Sequence, residues 1–315
     1  MQWTAAFLAA SSDIGDDQRM TVQPTLGDLD GIPGWFTEAI ADAPEHVDIP
    51  IRGANVHARV WGDRSLPGLV LVHGGSAHSG WWDHIGPILA RSHRVVAMDL
   101  SGHGDSDWRE SYDMVTWGQE VIAVCDAHID GEPIVIGHSM GGGVALAATA
   151  SHPDKVAGLI VIDTPLSARL LERDGMRPAL RPPRTYVDFE DAIARFRTIP
   201  EQHFVLPYVN RHVAEQSLRQ RNGIWTWKYD PSFLSQGGDR SLQEMLSSVS
   251  CPSVLLRGEF GLVTHEMVDD LHQMVGDKIP VVELPQAGHH PMLDQPLTLV
   301  TAIATALGIW KGLGA

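Results

Sequence analysis

Gly137-His138-Ser139-Met140-Gly141 sets a serine with a glycine two residues to either side, between an apolar run and an Ala-rich run. Pro133-Ile134-Val135-Ile136 is short, β-branched and apolar, the pattern of a parallel strand buried on both faces. Met140 to Ala150 is small and helix-compatible. A serine on the sharp turn between such elements adopts a strained backbone conformation, and the glycines let strand and helix pass close beside it. Its hydroxyl then stands exposed at the carboxyl end of a sheet. A hydroxyl is a weak nucleophile at neutral pH, so attack needs a base within hydrogen-bond reach and donors for the oxyanion that forms.

Three further segments each follow an apolar strand pattern. Leu71-Val72-His73-Gly74-Gly75 closes the run Gly68 to Val72, and Asp99-Leu100-Ser101-Gly102-His103-Gly104-Asp105-Ser106 follows Arg94 to Met98. Gln286-Ala287-Gly288-His289-His290-Pro291 follows Val281 to Leu284. With the serine motif, these four segments in this order resemble the α/β-hydrolase superfamily, in its serine-nucleophile, carboxylesterase-like branch with a helical cap. The resemblance spans roughly residues 47 to 310. It implies that Ser139 is the nucleophile and His289 the base, with His290 as rival for that role. It also implies an oxyanion hole made by the backbone N–H groups of Met140 and Gly75, with Ser76 close enough to compete with Gly75. His73 and His103 are expected to brace their loops.

The acid departs from the family pattern. Relatives usually place Asp or Glu after the penultimate strand, three residues beyond a glycine, but the corresponding Gly258-Glu259-Phe260-Gly261-Leu262-Val263 has glycine there. Some members place the acid at the end of the sixth strand, where Gly158-Leu159-Ile160-Val161-Ile162 is followed by Asp163. A carboxylate there could hold the useful tautomer of His289 and stabilise its imidazolium. Asp163 is therefore the first candidate and Glu259 the second, although an aspartate at a strand end also commonly caps a turn.

Strand patterns alternating with helical ones predict an α/β fold: a mostly parallel twisted sheet with helices on both faces. Its strands are Gly68 to Val72, Arg94 to Met98, Pro133 to Ile136, Gly158 to Ile162, Ser253 to Arg257 and Val281 to Leu284. Val47 to Ile51 and Val56 to Trp61 read as an antiparallel edge hairpin. Pro33 to Ala43 reads as a short docking helix presenting Trp35, Phe36 and Ile40, behind an acidic, Gly-rich arm over residues 1–30. The resulting division is 1–45 for arm and docking helix, 46–163 with 242–315 for the hydrolase core, and 164–241 for an inserted helical cap. The cap segment carries Arg177-Pro178, Arg181-Pro182-Pro183 and the aromatics Phe204, Tyr208, Trp225, Trp227 and Tyr229. Trp81 and Trp82 beside the oxyanion loop, with Tyr208, Trp225 and Trp227 from the cap, are candidate pocket residues; packing of the cap on itself explains each singly as well. Together they predict a small-molecule ester with an apolar or aromatic moiety.

A formal net charge of −16 over 315 residues argues against nucleic acid or an anionic membrane as partner. No apolar stretch approaches a membrane span. Cys125 and Cys251, far apart, read as free thiols, and the N-terminal region lacks the basic start of a secretory signal, so a cytoplasmic monomer or homodimer is expected. His265-Glu266-Met267-Val268-Asp269 has Asp269 where a zinc-binding H-E-x-x-H motif needs histidine, and no phosphate-binding glycine loop is present. No metal or cofactor is implied. The expected activity is cofactor-independent cleavage of a carboxylic ester or lactone through an acyl-enzyme. A carbon–carbon bond hydrolase of ring-fission diketones and a non-hydrolytic ligand-binding protein on the same scaffold are the alternatives.

Overall fold

In chain order the strands are β1 (Glu45–Ile51), β2 (Ala54–Trp61), β3 (Gly68–Val72), β4 (Arg94–Met98), β5 (Ile134–His138), β6 (Gly158–Ile162), β7 (Thr185–Tyr186), β8 (Leu218–Arg221), β9 (Ile224–Trp227), β10 (Ser253–Phe260) and β11 (Val281–Gly288). This computed structural model describes residues 31–166, 184–202, 204–235 and 242–312. The arm expected over 1–30 and the Pro-rich stretch at Arg177 to Pro183 lie outside the described residues.

Eight strands form one sheet in the order β1-β2-β4-β3-β5-β6-β10-β11, antiparallel at β1, β2 and β4 and parallel from β4 onward. Because side chains alternate along a strand, Val70, Val72, Val96 and Met98 enter one apolar cluster while Leu69, Leu71, Val95 and Ala97 enter another across the sheet. Each fully buried Val or Leu contributes roughly 1.5–3 kcal/mol, which is why these central strands read as unbroken apolar runs. The hairpin β1–β2 turns through Arg52 and Gly53, both at positive φ (48° and 80°), as a two-residue connection requires.

Helices cover both faces. The docking helix α1 (Gly34–Ala41) buries Phe36 and Ala39. It is followed by α2 (Gly86–Ala90), α3 (Met114–His128) and α4 (Met140–Ser151), the last starting directly after Ser139. The chain order reverses at β3, which lies between β4 and β5, so the crevice between the carboxyl ends of β3 and β5 is where ligands bind in such sheets.

Between β6 and β10 the described chain contains α5 (Phe189–Ile193), α6 (Pro207–Gln216) and, before β10, α7 (Leu242–Ser248). The insertion is not helical alone: β7, β9 and β8 make a small antiparallel sheet. Asn222-Gly223, at φ 53° and 79°, joins β8 to β9 as the two-residue turn that Asn-Gly favours. Gly104 donates its N–H to the Lys228 carbonyl, Asp230 donates to Gly102, and Tyr112 Oη–H donates to Asp230 at 2.7 Å. The insertion is thereby fastened to the turn after β4. Beyond β10 come α8 (His265–Val275), then after β11 α9 (Pro291–Asp294) and α10 (Pro296–Gly312).

Candidate active site

Ser139 sits at φ 53° and ψ −121° between β5 and α4, a conformation sparsely allowed for a residue with a Cβ. The turn is tight enough that a Cβ on Gly137 would come 2.3 Å from the Gly141 carbonyl, and one on Gly141 would come 2.3 Å from the His73 carbonyl. Both glycines are steric requirements of the turn. Ser139 N–H donates to Ile162 O at 3.0 Å, which ties the serine to the end of β6.

Asp163 follows on that strand end, fully buried and at φ 42°. Because β6 lies between β5 and β10, its end faces both the serine and the loop after β10. One Asp163 oxygen accepts Gly258 N–H at 3.1 Å, and the other accepts Leu262 N–H at 2.7 Å and His289 Nδ1–H at 2.7 Å. His289, 3% exposed after β11, accepts the Ser139 hydroxyl at Nε2 across 2.9 Å. Serine, imidazole and carboxylate thus form one continuous hydrogen-bonded chain, with the Nδ1 proton held by the carboxylate and the Nε2 lone pair facing the hydroxyl.

Glu259 is directed elsewhere, with its carboxylate accepting Gln286 N–H at 2.8 Å. Gly261 explains the empty position after the penultimate strand. A Cβ there would stand 2.2 Å from Asp163 Oδ1 and 2.5 Å from its Cγ, so the space that a carboxylate from this loop would enter is already filled by one from β6.

Met140 opens α4, where the first N–H groups have no acceptor within the helix. A Cβ on Gly74 would meet His138 Nδ1 at 2.9 Å and Ser139 Cβ at 3.3 Å, so the loop after β3 packs directly against the serine turn. Gly75 is exposed, and a Cβ on it would lie 3.6 Å from the Phe233 ring and 3.8 Å from Met140 Sδ. Ser76 is in the left-handed region at φ 59°. His73 donates Nδ1–H to Gly74 O at 2.7 Å and accepts Leu100 N–H at 3.0 Å, bracing two loops at once.

Three histidine rings crowd together. His138 Nε2 donates to the His289 carbonyl at 2.7 Å, and the His290 ring lies 4.5 Å from that of His289 and 5.4 Å from that of Trp81. Burial, reinforced by the neighbouring histidines, holds His138 and His290 well below the ordinary imidazole range, so both are neutral at pH 7. Nitrogens of His138, His289 and His290 lie within 4.8 Å of one another. His289 directs its two ring nitrogens to Asp163 and Ser139, His138 donates to the His289 carbonyl, and both ring nitrogens of His290 are buried without a hydrogen-bond partner among the described residues.

The five aromatic pocket candidates separate in space. Trp81 packs on Phe196 and His290, close to the histidine loop, whereas Trp82 is fully buried in the core. Tyr208 packs on Trp35 and Phe36 of α1. Trp225 packs at a tilt on Phe189, and Trp227 packs edge-on against Tyr186 and at a tilt on Phe196, within the insertion. Phe233, which the sequence did not single out, is the insertion's aromatic beside Gly75, set against His103 at 4.4 Å between ring centroids. Only its nearness to Asp230, a residue bonded to the turn after β4, could have pointed to it.

The chain belongs to the alpha/beta hydrolase family, whose model matches residues 69–303. It is similar to Esterase Rv0045c of Mycobacterium tuberculosis, 28% identical over 266 residues that make up 82% of this chain and 88% of that one. It is also similar to the pimeloyl-[acyl-carrier protein] methyl ester esterase of Nitrosomonas europaea, 29% identical over 259 residues, 79% of this chain and 98% of the relative. Among solved structures, a thioesterase domain from the curacin biosynthetic pathway superposes with a TM-score of 0.70 at 25% identity, covering 83% of this chain and 99% of that one. Among the described residues no helix is long and apolar enough to cross a membrane.

Proposed function

We propose that the protein is a cofactor-independent serine esterase that cleaves a small carboxylic ester or lactone through an acyl-enzyme. The observation that carries this reading is the unbroken chain from Ser139 Oγ through His289 to Asp163, at 2.9 and 2.7 Å. The relatives named esterase and methyl ester esterase support the same bond class.

In this mechanism Ser139 attacks the ester carbonyl as His289 Nε2 takes its proton. Asp163 stabilises the imidazolium that results. The N–H groups of Met140 and Gly75 stabilise the oxyanion, at a helix start whose dipole also favours negative charge. His289 returns the proton to the leaving alcohol, then activates water for deacylation. Phe233 and Met140 beside Gly75 form an apolar wall suited to the acyl group. A binding-only role finds no support in Gly261, because the Asp163 carboxylate stands in its place.

Ser139→Ala should abolish turnover of p-nitrophenyl esters with the folded signal intact. Retained turnover would end the proposal. Product analysis on an ester and on a ring-fission diketone separates ester from carbon–carbon cleavage, and the ester alone should be consumed.

A further inference from the structure

We propose that Gln202 is a positioning residue for the reaction: a side-chain clasp by which the segment inserted between β6 and β10 holds the His289 loop in register with Ser139. The inference rests on the serine-esterase reading above.

β11 ends at Gly288 and α9 begins at Pro291, so His289 and His290 fall between a strand and a helix. Their backbone groups need partners from elsewhere. Gln202 Oε1 accepts His290 N–H at 2.8 Å, and Gln202 Nε2 donates to Asp294 Oδ2 at 2.7 Å, with longer contacts to the His290 and Phe204 carbonyls at 3.3 and 3.4 Å. The same Asp294 oxygen accepts Gly288 N–H at 2.6 Å. On the far side, His138 donates to the His289 carbonyl. The backbone is therefore gripped on both flanks of His289 and at His289 itself, by side chains from the insertion, from α9 and from β5.

Gln202 is the grip contributed by the insertion, and it joins the grip from α9 by bridging His290 N–H to Asp294. A Cβ on Gly288 would come 2.5 Å from Gln202 Oε1, so the glycine before His289 is what lets the amide approach. Without the amide, His290 N–H loses its acceptor and Asp294 loses a donor, which frees the loop to shift. Since about 1 Å of misplacement can cost on the order of a hundredfold in rate, a small shift at His289 suffices to matter.

The test combines steady-state turnover of a p-nitrophenyl ester with the rate of Ser139 labelling by a fluorophosphonate. Gln202→Ala should lower kcat about 10- to 100-fold and slow labelling in parallel, with KM changed less than about twofold. Gln202→Glu keeps the acceptor for His290 and, while a proton is shared with Asp294, the bond to Asp294, so its kcat relative to wild type should fall as pH rises and that proton leaves. Should Gln202→Ala lose its folded signal, the near-isosteric Gln202→Glu and its pH profile decide the matter. An unchanged kcat in Gln202→Ala, a loss confined to KM, or a kcat ratio of Gln202→Glu to wild type that stays constant with pH would overturn the clasp. Failure of the wild-type protein to label at Ser139 would instead overturn the esterase reading itself.

Discussion

Exchanging the residues at 163 and 261 tests the acid of the proposed esterase, a carboxylate from the end of β6 that fills the space beside Gly261 in the loop after β10. Gly261→Ala alone adds a Cβ that would stand 2.2 Å from Asp163 Oδ1. Ordinary contact begins near 3.4 Å, so the carboxylate must retreat by about 1 Å. It cannot do so without lengthening the bonds from Gly258, Leu262 and His289, the last now 2.7 Å. Full loss of such an acid costs on the order of 10⁴-fold in kcat, about 5.4 kcal/mol of barrier. Gly261→Ala should therefore lower kcat by roughly 10²- to 10⁴-fold. The exchange Asp163→Gly with Gly261→Asp is sterically prepared. Position 163 has φ 42°, which glycine tolerates, and Gly261 is not among the glycines at positive φ, so only the occupied space excludes a side chain there. Steady-state turnover should show the double variant at least about 10²-fold faster than Asp163→Gly alone. A Gly261→Ala enzyme with near-normal kcat, or an exchange no better than the single loss, would refute the reasoning.

Burial, with Asp163 nearby, raises the Asp294 carboxyl to about 6, so the folded protein binds that proton more tightly than the unfolded chain. Its stabilising contribution is complete below about pH 4 and fades as pH rises through 6, by up to about 3 kcal/mol; denaturant titrations should show wild type losing stability relative to Asp294→Asn across that range. Buried Arg59 donates from Nη1 to both oxygens of Asp83 at 2.8–2.9 Å, and Asp83 also accepts from His212 on the insertion. Arg59→Ala should destabilise by about 3–5 kcal/mol, read by denaturant unfolding, because it strands a buried carboxylate. Phe233→Ala opens space beside Gly75, so kcat/KM across a p-nitrophenyl ester series should shift toward bulkier acyl groups.

The parallel sheet was legible because β3, β4 and β6 are apolar runs of strand length whose buried faces admit little else. Asn222-Gly223 marks a hairpin in the insertion just as plainly, but the resemblance to capped hydrolases implies a helical insertion and carries no signal for a sheet. The choice of acid was not decidable from spacing. β6 and β10 are neighbours in the sheet, so the residues after each reach the same point, and only coordinates reveal that Asp163 meets His289 while Glu259 turns to Gln286. Gln202 and Phe233 were invisible for a related reason. Both act from an irregular insertion whose path depends on its docking against the turn after β4 and the loop after β11, and no periodicity encodes such docking.

Mass spectrometry of the protein treated with one equivalent of fluorophosphonate addresses the central claim most directly. A single adduct on Ser139, forming in step with the loss of esterase activity and absent from His289→Ala under the same conditions, is the predicted result. An adduct elsewhere, or full activity once Ser139 is blocked, would contradict the mechanism.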